Sequence, residues 1–175
     1  NEDSFRLKAK DLEAAITPKS KLLVLPYPNN PTGAIMAKED LEEIAEVIKK
    51  HDLLVLSDEI YSELTYGGNT HTSISSIDGM YERTVVINGF SKSYAMTGWR
   101  LGYALGPAPI IAQMTKLHQY GIMSAPTTAQ YAAIEAIKNG DLGEIYSINA
   151  EMSTYHAVDY KKWLTNFKGG IMYTL

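Results

Sequence analysis

Apolar positions change period several times along the chain, and each change predicts an element. Lys21 to Tyr27 is a nearly unbroken apolar run stopped by Pro28-Asn29-Asn30-Pro31-Thr32-Gly33, the pattern of a buried strand entering a loop. From Lys38 to His51, Leu41, Ile44, Ala45 and Ile48 recur at helical spacing, with acids early and Lys49-Lys50 in the last turn, where the helix dipole favours them. Leu53–Leu56 is a second apolar run, ending at Ser57-Asp58-Glu59. Thr84–Ile87 is a third, ending at Asn88-Gly89-Phe90-Ser91-Lys92, and Leu101–Leu105 reads as a fourth. Beyond Pro107 the period is helical, with Pro109 near a helix start, a break from Gly121 to Pro126, a second helix closed by Asn139-Gly140, and a helical stretch reaching about Phe167.

Strands alternating with a helix predict an α/β fold with a largely parallel sheet, right-handed crossovers and flanking helices. Such sheets bind ligands beyond the carboxyl ends of their strands. Those ends carry Asn30, then Asp58 with Tyr61, then Ser91 with Lys92, so one crevice could collect an amide, a carboxylate, a phenol and an amine. That set suits an aromatic cofactor. No repeat and no Gly/Ser-rich linker interrupts the chain, which places any domain boundary in the C-terminal helical stretch, near residue 150.

Composition narrows the picture. The 175 residues are one domain's worth with a stub, 45% hydrophobic and 21% charged, as in ordinary globular proteins. Sixteen basic residues against twenty acidic give a net charge of -4 without a basic face, which argues against nucleic acid as a partner. With no cysteine, neither disulfides nor thiolate metal sites arise, and the four histidines (His51, His71, His118 and His156) lack the i, i+4 pairing of a metal site. They read as structural or exposed. No apolar run approaches the roughly 20 residues that cross a bilayer, and no signal peptide is visible, so the expectation is no membrane association and a cytoplasmic protein. An opening on Asn1 instead of Met suggests a fragment.

Taken singly, the candidate residues are unremarkable: Lys92 is a surface lysine, Asp58 a helix cap, Arg100 an ion-pair former, Asn30 a turn residue and Tyr61 a core aromatic. Their ordered combination is different. Gly89-Phe90-Ser91-Lys92-Ser93-Tyr94-Ala95-Met96-Thr97-Gly98-Trp99-Arg100-Leu101-Gly102 closely resembles the cofactor-lysine signature of the class I/II aminotransferases, which depend on pyridoxal 5'-phosphate (PLP). Asn29-Asn30-Pro31-Thr32-Gly33 and Ser57-Asp58-Glu59-Ile60-Tyr61 match in the family's order, and the resemblance runs from about Leu12 to Ile137.

The resemblance implies residues 1–150 as part of the large domain of the type I PLP-dependent transferase fold, the fold of aspartate aminotransferase. Residues 151–175 follow as a linker helix and the helical start of the small domain. It implies that Lys92 holds the cofactor as a Schiff base, that Asp58 faces the ring nitrogen and keeps it protonated, and that Asn30 and Tyr61 hydrogen-bond the ring's phenolic oxygen. Arg100, with the hydroxyl of Ser91, would hold the phosphate. Gly89 stands where a serine is often found, which shifts more of the phosphate's binding onto Arg100. Lys92, Asp58 and Tyr61 are thus the expected catalytic residues, and a homodimer converting amino acids and 2-oxo acids by aspartate- or aromatic-type transamination is the implied assembly and activity. A β-lyase on the same scaffold and an inactive or regulatory module are the alternatives. Relatives carry an upstream phosphate-binding turn and ring-stacking aromatic and a downstream arginine for the substrate carboxylate, none matched here, so these residues by themselves are expected not to turn over. No role is read for Tyr66, Tyr94 or Trp99, nor for Tyr155 to Leu175 with its Lys161-Lys162-Trp163.

Overall fold

The computed structural model describes residues 4–138. In chain order these form α1 (Ala9–Ala15), β1 (Leu22–Pro26), α2 (Lys38–Lys50), β2 (Leu54–Asp58), β3 (Thr84–Gly89), β4 (Gly102–Leu105), α3 (Ala108–Gly121) and α4 (Thr127–Lys138). Every apolar run singled out in the sequence became a strand, shifted by one or two residues at its ends. The helix break after Gly121 stands where expected. The closure at Asn139-Gly140, the helical stretch to Phe167, the boundary near residue 150, residues 151–175 and His156 lie outside the described residues.

The described chain divides between Asn88 and Gly89 into two compact units. In the first, β1 pairs with β2 and β2 with β3, all parallel, with Leu22 opposite Leu54 and Val55 opposite Thr84. Helix α2 makes the crossover from β1 to β2. Its Leu41, Ile44, Ala45 and Ile48 are 2% exposed or less and cluster with Leu25, Val55, Ile74 and Met80. Burying three branched side chains of that size contributes roughly 1.5–3 kcal/mol each. Ile44 is fully enclosed, so Ile44→Ala in the intact protein is expected to cost about 2–5 kcal/mol by lost transfer energy and a residual cavity. Urea unfolding checks this as a lower midpoint at unchanged slope.

The start of α2 has no side-chain cap, since Ala37 occupies that position. Asp40 in its first turn instead receives Arg6 Nη1 at 2.7 Å and Lys8 Nζ at 3.0 Å, which ties the segment before α1 to the helix. Burial works to raise the pKa of Asp40, but the hydrogen bond from Lys8 and the charges of Arg6 and Lys8 outweigh it and hold the carboxyl below its usual range.

One expectation is corrected here. The first strand is not buried on both faces: Leu25 is 2% exposed, whereas Leu22 and Val24 are 53% and 54% exposed and Leu54 beside them 44%. Successive strand residues point to opposite sides, and among the described residues nothing covers the side bearing Leu22, Val24 and Leu54. Strand β3 differs, with Thr84, Val85 and Val86 all buried.

In the second unit, β4 leads into α3, where Pro109 takes a first-turn position that needs no N–H donor, and then α4. Ala129, Ala133 and Ile137 recur along one face of α4 and cluster with Phe90, Leu101 and Tyr103. The ring of Phe90, 1% exposed, lies 5.5 Å from that of Tyr94 and meets Tyr103 edge-on at 5.7 Å.

Candidate active site

At the carboxyl ends of β1 and β2, Pro26 lies opposite Asp58 in register. Past β1 the chain closes a tight turn: Asn29 N donates to Ala34 O at 2.9 Å and Gly33 N to Asn29 O at 2.8 Å. Thr32 Oγ1 donates to Asn29 Oδ1 at 2.7 Å. Gly33 makes this possible with φ +72°, a conformation that side chains disfavour. With Asn29 engaged inside the turn, Asn30 stands exposed on it, and its Nδ2 donates to Tyr61 Oη at 3.3 Å across 31 residues of chain.

Asp58 is the last residue of β2 and half-buried; its Oδ1 accepts from Ile60 N at 3.2 Å, and its Oδ2 makes no hydrogen bond among the described residues. The cap-like contact foreseen for an isolated aspartate is therefore present, and it uses only half the carboxylate. The neighbouring acid behaves differently. Glu59 is 5% exposed, with its carboxylate enclosed by hydroxyls and a histidine.

A cavity of about 440 Å³ opens beside this pair of strand ends, lined by Asn30, Pro31, Ile35, Tyr61, Tyr66 and Asn69 among others. Tyr66 and Asn69 flank a turn whose central residues, Gly67 and Gly68, have φ of +68° and +80°. Asn69 Nδ2 closes it on Tyr66 O at 2.7 Å. The aromatic-Gly-Gly-Asn sequence signals this turn, but only the folded chain sets Tyr66 against the cavity.

In the second unit, the segment from Gly89 to Gly102 winds around Phe90. The carbonyl of Phe90 accepts from Tyr94 N at 3.3 Å and Met96 N at 3.2 Å, and the carbonyl of Lys92 from Ala95 N at 3.1 Å. Thr97 Oγ1 donates to Ser91 O at 2.8 Å, closing the winding over Lys92. Ala95 and Arg100 take φ of +52° and +54°, in the left-handed region where an L side chain costs roughly 1–2 kcal/mol. Arg100 Nη1 donates to Thr97 O at 3.0 Å and the residue is exposed, while Ser91 and Lys92 are half-buried. Non-glycine residues held in that conformation are over-represented at functional sites, because surrounding contacts must hold them there.

The site residues read from the sequence thus fall into two sets. Asn30, Asp58 and Tyr61 belong to the first unit, which brings Asn30 and Tyr61 into contact. Ser91, Lys92 and Arg100 belong to the second, on one tightly hydrogen-bonded loop.

Comparison with known proteins follows the same residues. Residues 1–157 match the model of the family described as aminotransferase class I and II. The chain is 47% identical over 138 residues to aromatic-amino-acid aminotransferase 2 of Thermococcus litoralis, covering 79% of the chain and 36% of that protein. An aspartate aminotransferase of Pyrococcus abyssi matches with the same identity and coverage. Among solved structures, an aromatic aminotransferase from Pyrococcus horikoshii OT3 is similar with a TM-score of 0.76 and 49% identity, over 78% of this chain and 37% of that one. The chain spans about a third of the length of the curated relatives it matches.

Proposed function

Because the chain belongs to the class I and II aminotransferases, we propose that the intact protein transfers an amino group between an amino acid and a 2-oxo acid with PLP as cofactor. The observation that carries this reading is the gathering of an amide, a phenol and a carboxylate (Asn30, Tyr61 and Asp58) at the carboxyl ends of two adjacent parallel strands. That donor set fits a flat ring bearing an anionic oxygen and a protonated nitrogen, since Asn30 and Tyr61 supply donors and Asp58 the counter-charge.

When bound, PLP supplies an aldehyde that captures amines and a ring that withdraws electrons from the substrate's α-carbon. Asp58 Oδ2 would hold the proton on the ring nitrogen. Asn30 Nδ2 and Tyr61 Oη would orient the phenolic oxygen. Lys92 Nζ would bind the aldehyde carbon and, once displaced by the amino substrate, move a proton at the substrate α-carbon. The Arg100 guanidinium and the Ser91 hydroxyl would hold the phosphate, with Arg100 already presented on a fixed backbone. The reading includes a homodimer, as the family resemblance implies, and a cytoplasmic location. Among the described residues no helix is long and apolar enough to cross a membrane.

The test is to incubate the intact protein with PLP, a panel of amino acids and 2-oxoglutarate. Glutamate formed in proportion to the consumed amino acid is the expected result. Ammonia and a 2-oxo acid released without any need for 2-oxoglutarate would instead indicate a β-lyase, and no reaction with any donor would overturn the reading.

A further inference from the structure

The carboxylate of Glu59 is the most enclosed ionisable group on the strand end that carries Asp58. Ser57, Glu59 and Thr84 are the buried polar residues of the described chain. Glu59 Oε1 accepts from Ser57 Oγ at 2.9 Å and from Ser73 Oγ at 2.6 Å, and its Oε2 lies 2.8 Å from His71 Nε2. Its backbone N donates to Ile87 O on β3 at 2.8 Å. Removing a carboxylate of this kind from water is costly, and three donors at these distances offset that cost only while they stay in place.

Those donors join separate pieces of chain. Ser57 belongs to β2, whereas His71 and Ser73 lie 12 and 14 residues beyond Glu59, at the far end of the loop that holds Tyr61, Leu64, Tyr66 and Asn69. All four line the cavity beside Asn30. Ser73 is pinned in turn, since its hydroxyl also accepts from Ser75 N at 3.3 Å and caps the helical turn Ile74–Ser76. Both ends of the loop are therefore fastened to one buried carboxylate, and Tyr61, which meets Asn30, lies two residues from Glu59.

We propose that Glu59 is a positioning residue: by holding His71 and Ser73 it sets the loop from Tyr61 to Asn69 as a fixed wall of the cavity beside Asn30, the cavity that would take the substrate. This rests on the proposed aminotransferase reading, and the experiment separates the two. Glu59→Ala, Glu59→Gln and His71→Ala are prepared in the intact protein beside the wild type. Each is assayed for glutamate formation well below its melting temperature, with kcat and KM determined separately and Lys92 capture of PLP checked by borohydride labelling.

Displacing a substrate-contacting wall by about 1 Å is a change that can cost on the order of 100-fold in rate. Glu59→Ala is expected to lower kcat/KM by about 10- to 100-fold, mainly through KM, while Lys92 is still labelled. Glu59→Gln should recover to within about threefold of the wild type, because its amide oxygen still accepts from both serines and its NH2 can donate to the other tautomer of His71. A role in stability alone would lower the melting temperature and leave kcat/KM of every variant at the wild-type value. A folded Glu59→Ala with kcat/KM within twofold of the wild type overturns the proposal. If Glu59→Ala does not fold, His71→Ala, whose side chain is 15% exposed, decides by the same criterion. A wild type that forms no glutamate refutes the aminotransferase reading itself, and the positioning role with it.

Discussion

Lys92→Ala in the intact protein is expected to abolish amino transfer, with glutamate formation at the assay background. On the proposed reading two functions would leave with the amine: capture of the cofactor aldehyde and proton movement at the substrate α-carbon. Loss of a general base alone costs roughly 10²- to 10⁴-fold. Lys92→Arg should not restore activity, because a guanidinium remains protonated and cannot act as nucleophile or base. The loop backbone is held by the carbonyls of Phe90, Ser91 and Lys92 and by the packing of Phe90, so a thermal melt of each variant separates lost chemistry from lost fold. Borohydride reduction of the wild type with PLP, followed by peptide mapping, should place the label on Lys92. A label on another lysine would defeat the assignment.

The second large effect is at Asp58, where two substitutions separate two roles. Its Oδ1 takes a hydrogen bond from Ile60 N, a local contact worth about 0.5–1.5 kcal/mol of stability. Asp58→Asn can keep that contact through its amide oxygen but loses the negative charge; Asp58→Ala loses both. If the carboxylate serves to keep the ring nitrogen protonated, both variants should bind PLP detectably and fall in kcat by roughly 10²- to 10⁴-fold. If it serves only as a turn cap, Asp58→Asn should retain near wild-type turnover and Asp58→Ala should lose stability instead. Steady-state kinetics with a thermal melt of each variant distinguishes these results.

How much of this was legible in the sequence varies with the kind of information each feature needs. Helix α2 was readable because Leu41, Ile44, Ala45 and Ile48 declare a single buried face. Helix α1 was not, because its seven residues bury Leu12 alone and begin without a side-chain cap. Strand β1 is legible as a strand but not in its environment: Leu22 to Leu25 is apolar on both faces, and composition cannot tell which face other parts of the fold cover. Among the site residues, Lys92, Asp58 and Arg100 stand in contiguous motifs, so their types and order were enough to nominate them. Glu59 sits in one of the same motifs, yet nothing local distinguishes it from a solvated acid. What sets it apart is enclosure by side chains from residues 57, 71 and 73, which only the folded chain assembles.

The face bearing Leu22, Val24 and Leu54, which none of the described residues covers, has a practical consequence for work with residues 4–138 on their own. A contiguous apolar patch on a short parallel sheet is adhesive, and β1, hydrogen-bonded to β2 on one side, lies at the margin of the first unit's strands, where further extended chains can add. The attraction is hydrophobic, so it weakens on cooling and strengthens with sulfate or phosphate salts. Cold, dilute buffers without those salts are therefore the conditions under which the isolated chain should stay in solution. Warming or salting out should precipitate it at concentrations that a variant carrying lysine at position 24 would tolerate.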